Sequence, residues 1–232
     1  MTDLRSNSVP NPVLVALDTP DLDRARSMAQ TLAPHVGGFK VGLELWCAQG
    51  PRVVEAIGAE KVFLDLKLHD IPNTVAGAAR AAARLGVMIL NVHCLGGRAM
   101  MQAALEATRE VSPQTKLIGV TVLTSHDAQD LHDIGVRDAP QDEVRRLAML
   151  AREAGLDGVV CSPQEIALVR QECGEGFLIV TPGVRPVGAA VGDQKRVMTP
   201  QEALSAGADW LVGGRPITGA SDMVAAARGF VK

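Results

Sequence analysis

The segment Val62–Thr74, VFLDLKLHDIPNT, places two aspartates and a lysine at the end of an apolar run. Asp65 and Lys67 are two residues apart, and because side chains alternate along a strand, both should lie on one face, about 6 to 7 Å apart along it. Asp70 follows beyond the strand, where Pro72 favours an extended turn, and it can face the same pocket or reach away from it. The spacing therefore predicts a compact charged cluster.

The charges of this cluster favour proton transfer to carbon. Lys40 ends the preceding apolar run and can approach Asp65 from the side, which gives an alternating Lys-Asp-Lys-Asp arrangement. Flanking carboxylates stabilise the charged form of Lys67, which suits a proton donor to a carbanion and disfavours a Schiff base, since that needs a neutral amine. Asp65 would repel an anionic substrate group until it departs, so loss of a carboxylate as carbon dioxide fits the pattern.

A purely structural ion-pair network is the alternative interpretation of the cluster. Burying several charges in a partly dry site costs more than an apolar replacement, so such a network usually has a second reason to exist. We therefore favour a functional role.

Short apolar runs alternate with helix-length amphipathic stretches along all 232 residues, as expected for βα units around a parallel sheet. The predicted strands are Val13–Leu17, Gly38–Val41, Val62–Leu66, Met88–Val92, Leu117–Val122, Gly158–Cys161, Phe177–Val180 and Trp210–Val212. The predicted helices are Leu22–Leu32, Pro51–Ile57, Val75–Leu85, Met100–Glu110, Glu143–Ala154, Gln164–Cys173, Pro200–Ala206 and Ser221–Phe230. Since no linker divides the series, it predicts an α/β fold with one domain, a TIM (β/α)8 barrel over residues 13–232 after an N-terminal extension, 1–12, rather than an open doubly wound sheet.

The carboxyl ends of barrel strands form the mouth where chemistry occurs. Polar or charged side chains stand at or just after those ends: Asp18, Lys40, Asp65, Lys67, His93, Thr124, Ser162, Thr181 and Arg215. This ring above an apolar interior predicts one site at one mouth.

Two late segments predict a phosphate site. The residues from Gly183 to Thr199 lack apolar periodicity and suggest a loop over the mouth, with Arg185 and Gln194 as donors. After the last strand, Gly213-Gly214-Arg215 brings backbone N–H groups and a guanidinium to the start of a short helix, where barrels often bind phosphate. A tight Gly-Gly turn beside a surface arginine is the alternative.

The composition argues against several other classes of protein. Aromatic residues are scarce (four Phe, two Trp, no Tyr) and the net charge is -3 without a basic run, which disfavours nucleic-acid binding. The four cysteines are scattered without metal-ligand spacing, so we predict no metal site. The N-terminus lacks an apolar signal region and no apolar run reaches membrane-spanning length, so we expect a cytoplasmic protein without membrane contact.

The motif LDLKLHDIPNT resembles the D-x-K-x-x-D signature of the bacterial orotidine 5'-phosphate decarboxylase family. Further blocks match in family order between residue 13 and about 220: VALD with Asp18, FKVGLEL with Lys40, NVHCLGG, GVTVLTS with Thr124, TPGVRP with Arg185, GDQKRVMTP with Gln194, and GGRPIT with Gly214 and Arg215. The resemblance thus spans nearly the whole chain.

This resemblance implies a carboxy-lyase that converts orotidine 5'-phosphate to uridine 5'-phosphate and carbon dioxide in de novo pyrimidine synthesis, without metal or organic cofactor. It implies that Lys67 protonates C6 of the pyrimidine and that Asp65 lies beside the departing carboxylate. The remaining implied roles are ribose binding by Lys40 and Asp18, a pyrimidine contact from Thr124, phosphate binding by Arg185, Gln194, Gly214 and Arg215, and entry of Asp70, Ile71 and Thr74 into the partner's site of a homodimer.

Two rival interpretations remain open. A 3-keto-L-gulonate 6-phosphate decarboxylase or hexulose-phosphate synthase resembles the same barrel and also carries an Asp-x-Lys-x-x-Asp strand, but it needs a divalent metal. In a non-catalytic nucleotide-binding barrel, the charged cluster would have no functional role. The segments VLTS, TPGVRP and GDQKR favour the pyrimidine nucleotide enzyme over the sugar-phosphate enzymes.

Overall fold

A computed structural model describes residues 11–186 and 198–231. Eight parallel strands form a closed barrel in which each strand pairs with its sequence neighbour and β1 pairs with β8. The strands are β1 Val13–Ala16, β2 Gly38–Val41, β3 Val62–Leu68, β4 Ile89–His93, β5 Lys116–Val120, β6 Gly158–Val160, β7 Leu178–Thr181 and β8 Trp210–Gly213. This architecture confirms the predicted TIM barrel.

The strand sequences bury both faces, as expected when helices cover the outside of a parallel sheet. In β1, Val13 and Val15 belong to the cluster shared with the helices, whereas Leu14 belongs to a second cluster. That second cluster fills the barrel interior with bulky side chains, among them Phe63, Ile89, Ile118 and Val180. The mouth of the barrel therefore sits on an apolar floor.

Helices surround the sheet and join consecutive strands. In the described residues they are α1 Leu22–Leu32, α2 Leu43–Gln49, α3 Arg52–Ile57, α4 Pro72–Ala83, α5 Gly97–Val111, α6 Ala128–Asp133, α7 Pro140–Glu153, α8 Ile166–Cys173, α9 Pro200–Ser205, α10 Arg215–Thr218 and α11 Met223–Gly229. None of the helices in these ranges is long and apolar enough to cross a membrane.

Local signals explain several helix starts. At α9, Thr199 and Glu202 form a reciprocal capping box around Pro200, which occupies the first turn. At α4, the helix begins at Pro72 rather than at the predicted Val75, because proline is compatible with the first helical turn. The short helices α2 and α6 were not predicted, since each is only one or two turns long.

The start of the barrel is fixed by residues just before β1. Asn11 donates through its side chain to the carbonyl of His35 (2.7 Å), and the carbonyl of Pro12 accepts the N–H of Leu211 (2.8 Å). The predicted boundary between residues 12 and 13 stays a prediction, and residues 1–10 lie outside the described ranges.

Candidate active site

Four side chains of alternating charge form a continuous chain at the barrel mouth. Lys67 Nζ lies 2.7 Å from Asp65 Oδ1, Lys40 Nζ lies 3.6 Å from Asp65 Oδ2, and Lys40 Nζ lies 3.2 Å from Asp18 Oδ1. Parallel pairing of the neighbouring strands β1, β2 and β3 brings them together, since Asp18 follows β1, Lys40 lies in β2, and Asp65 and Lys67 lie in β3. The predicted approach of Lys40 to Asp65 is confirmed, and within the subunit Asp18 supplies the second aspartate of the alternation.

Asp65 is the central anion of this chain. Its side chain is only 12% exposed. Burial acts to raise the pKa of the carboxyl, but the charges of Lys40 and Lys67, together with hydrogen bonds from Lys67 and Asn91, outweigh burial and hold the pKa below its ordinary value. Asp65 is therefore a carboxylate at neutral pH.

Lys67 has an unusual backbone conformation. Its φ of 50° is positive, and among the described non-glycine residues it is alone in this. Such a left-handed conformation costs about 1–2 kcal/mol for a residue with a Cβ. The sequence argument placed both side chains on one face of a regular strand, and the structure instead brings Lys67 to Asp65 through a local irregularity of β3.

The cavity beneath the charged chain has a volume of about 240 Å³. Its walls are mainly apolar, and its charged groups are confined to Lys40, Asp65 and Lys67. Thr124, predicted to contact a substrate ring, lies in this lining. The complete lining consists of Lys40, Phe63, Asp65, Lys67, Val120, Val122, Leu123, Thr124, Ser125, Val160, Cys161, Pro182 and Val212. The cavity can thus hold a flat ring against three charged groups.

Two residues near the charged chain escaped the sequence analysis. Asn91 is fully buried in β4 and hydrogen-bonds to Asp65. The sequence signal that could have identified Asn91 is its polar side chain within the otherwise apolar run ILNV. At Gly42, an added Cβ would lie 2.9 Å from Lys40 Nζ, so a side chain there would displace the lysine.

The predicted phosphate residues lie after β7 and β8. Gly214 precedes α10, and Arg215 is exposed at its first position. Arg185 follows a bridge between Val184 and Met198, where its N–H bonds to the carbonyl of Met198 (2.9 Å) and its guanidinium to that of Val184 (2.8 Å). Gln194 falls outside the described residues.

The predicted inter-subunit residues lie beyond β3, away from the barrel interior. Asp70 is exposed, and its carboxylate accepts the N–H of Ile71 (2.6 Å). Ile71, with 67% of its surface exposed, and Thr74, also exposed, follow Asp70 at the start of α4. Their exposure agrees with the prediction that the segment can reach outward.

Two histidines adjoin the cluster. The rings of His69 and His93 are stacked, with centroids 5.5 Å apart. Burial, followed by the charges of His69, Lys67 and His126, lowers the pKa of His93 to about 4. His93 Nδ1 accepts the N–H of Leu95 (3.3 Å), which fits a neutral ring. Over the described ranges, no group of three or more His, Cys, Asp or Glu side chains could hold a metal ion.

Comparisons with known proteins agree with this geometry. The model of the family "Orotidine 5'-phosphate decarboxylase / HUMPS" matches residues 11–230. A curated orotidine 5'-phosphate decarboxylase of Moorella thermoacetica is 56% identical, covering 93% of this chain and 89% of its own length. That of Thermobifida fusca is 57% identical, covering 93% and 92%.

A solved structure gives the same result. The crystal structure of orotidine 5'-phosphate decarboxylase from Lactobacillus acidophilus superposes with a TM-score of 0.83 at 38% identity, covering 95% of this chain and 97% of that one. Family match, sequence identity and fold agree over nearly the whole described barrel, so the chain belongs to the orotidine 5'-phosphate decarboxylase / HUMPS family.

Proposed function

We propose that the protein decarboxylates orotidine 5'-phosphate to uridine 5'-phosphate and carbon dioxide in pyrimidine biosynthesis. The observation that carries this proposal is the alternating chain Asp18, Lys40, Asp65 and Lys67 at the mouth of an apolar cavity. The curated relatives described above, which bear that enzyme's name, support it independently.

Proton donation by Lys67 completes the proposed reaction. When the bond between C6 and the carboxylate breaks, its electron pair stays on C6 and carbon dioxide leaves. Lys67 Nζ then gives a proton to that carbon and becomes neutral until solvent reprotonates it. Its 2.7 Å contact with Asp65 orients the ammonium group.

Asp65 contributes by its charge. Its lowered pKa keeps it anionic, so a substrate carboxylate held beside it is repelled and that repulsion ends when carbon dioxide departs. Lys40 and Lys67 provide the positive charges that stabilise a carbanion in this partly buried site.

The rate enhancement needs more than one proton donor. A positioned general acid supplies about 10² to 10⁴ in rate. In the proposed scheme the rest comes from the fixed electrostatic field and from binding energy at the distant phosphate. The proposed phosphate contacts are Arg185, Gln194, Gly214 and Arg215, the ribose contacts are Asp18 and Lys40, and the ring contact is Thr124.

The proposal also covers the assembly, cofactor requirement and location of the enzyme. The enzyme works as a homodimer in which Asp70, Ile71 and Thr74 complete the neighbouring site, without a cofactor, without nucleic acid and in the cytoplasm. The exposure of these three residues supports the shared site.

A metal-dependent sugar-phosphate decarboxylase or synthase is the second candidate, since the family description also covers the HUMPS group. The assay that separates the two mixes purified protein with orotidine 5'-phosphate in excess chelator and follows the ultraviolet change of uridine 5'-phosphate formation. Full turnover in chelator is expected. Turnover only after divalent metal is restored, or no turnover at all, would reject the proposed function.

A further inference from the structure

The ladder between β3 and β4 is interrupted at the charged cluster. Leu64 pairs with Leu90, and the next pair joins Leu68 to Val92. Between those pairs β3 advances by four residues (64 to 68) while β4 advances by two (90 to 92). Asn91 is therefore the single β4 residue opposite the bulged segment that contains Asp65 and Lys67.

The side chain of Asn91 replaces the missing ladder contacts. Its Oδ1 accepts the backbone N–H of Lys67 (2.7 Å), and its Nδ2 donates to Asp65 Oδ1 (2.7 Å). The amide orientation is fixed by chemistry, because a backbone N–H can only donate and a carboxylate only accepts. Asn91 has no exposed surface, so water does not compete for either bond.

We infer that Asn91 is a positioning residue that holds the strained Lys67 backbone and the Asp65 carboxylate in the geometry needed for proton transfer. This inference rests on the proposed function. Asn91 acts through Asp65 and Lys67, since the residues that line the cavity do not include it. One amide thereby fixes both partners of the 2.7 Å ion pair.

The two bonds together restrict which residue can serve. Leucine is larger but branches at Cγ as asparagine does, and it offers neither an acceptor for Lys67 nor a donor for Asp65. Aspartate offers the acceptor, but it can donate to Asp65 only while protonated. An ionised aspartate would instead place a second carboxylate against Asp65.

The test compares Asn91→Leu and Asn91→Asp with the parent enzyme by steady-state kinetics between pH 5 and 9. For Asn91→Leu we expect kcat to fall about 10²-fold, the typical effect of a misplacement near 1 Å, with a much smaller change in KM. For Asn91→Asp we expect kcat to fall as pH rises and to recover partly toward acid, where the carboxyl pair shares a proton.

The matched control is Thr115→Val. Thr115 is also fully buried, and its hydroxyl bonds to the carbonyl of Val87 (2.7 Å), but it lies just before β5 at the opposite end of the barrel. This variant should lose stability and keep kcat. Parent-like kcat in folded Asn91→Leu, or an Asn91→Asp pH profile parallel to the parent's, would overturn the inference.

Crystal structures of the variants give a readout that does not need turnover. We expect the Lys67 Nζ to Asp65 contact to lengthen beyond 2.7 Å in Asn91→Leu. If Asn91→Leu does not fold, the same distance is compared between the parent and Asn91→Asp at high pH. An inactive parent would reject the proposed function alone, whereas an unchanged Lys67 and Asp65 geometry in the variants would reject the role of Asn91.

Discussion

At the scale of single residues, Lys67 combines a proposed catalytic amine with a costly backbone conformation. Its left-handed φ of 50° would be met without strain by glycine, yet glycine has no amine. Strain of this kind persists where surrounding contacts over-determine it, and here Asn91 supplies such a contact. The backbone conformation at position 67 is therefore less stable with lysine than with glycine, and the proposed proton donation requires the lysine.

Lys67→Ala and Lys67→Gly should separate the amine from the strain. Both remove the proton donor, so kcat should fall by at least about 10²- to 10⁴-fold, while uridine 5'-phosphate still binds. The Lys67→Gly variant should be more stable than Lys67→Ala, with a free energy of unfolding about 1 kcal/mol higher. Alanine has a Cβ and still pays the cost of the left-handed conformation. Kinetics, product titration and chemical denaturation measure these quantities.

Arg215→Ala provides the contrasting variant. Its effect should fall mainly on binding of the nucleotide phosphate, so KM rises more than kcat falls. Near-normal turnover by Lys67→Ala would contradict the proton-donor assignment, and unchanged product affinity in Arg215→Ala would contradict the phosphate assignment.

At the scale of elements, the ends of β3 and β4 are joined by more than their ladder. The His69 ring beyond β3 stacks on His93, the last residue of β4. Because His93 is half-buried and near Lys67, its neutral form is favoured in the folded state. The residue just before the proposed inter-subunit residues therefore contacts a ring whose neutral form is favoured by the fold.

The pH dependence of stability should reflect His93. Its pKa is about 4 when folded and near 6.5 when unfolded, so between those values the unfolded chain binds more protons. The contribution of neutral His93 to the free energy of unfolding is complete above pH 6.5. It is lost as pH falls toward 4, and the loss is at most about 3 kcal/mol. Denaturation of the parent and of His93→Gln across this window measures it. The difference in unfolding free energy between them should shrink on acidification, and a constant difference would contradict the assignment.

At the scale of the whole molecule, parallel pairing of β1, β2 and β3 brings together residues that are far apart in sequence. Asp18 and Lys67 are 49 positions apart (67 minus 18), yet both connect through Lys40 and Asp65 in one charged chain. The segment with Asp70 instead points to solvent in the single subunit. In the proposed dimer, that exposed segment enters the active site of the neighbouring subunit.

Mixing two inactive variants tests the shared site. Lys67→Ala and Asp70→Ala should each have low turnover alone. A hybrid dimer would contain one site with both native residues, so activity should reappear after subunit exchange. The control mixes each variant with itself. Exchange demonstrated by differently tagged subunits, without recovered activity, would count against a site shared between subunits.

The sequence by itself indicated the series of eight βα units and the charged cluster, because apolar periodicity and strand-end polarity are local signals. It favoured a barrel, but closure rests on the pairing of β1 with β8, which no local signal encodes. It also indicated Asp65, Lys67 and Lys40 as neighbours. The short helices α2 and α6 were missed, since one or two turns carry little periodicity. Tertiary structure alone decided the bulge of β3, the left-handed Lys67 and the role open to Asn91. These depend on the register between two strands, and no local pattern encodes which residue of β4 lies opposite Asp65 and Lys67.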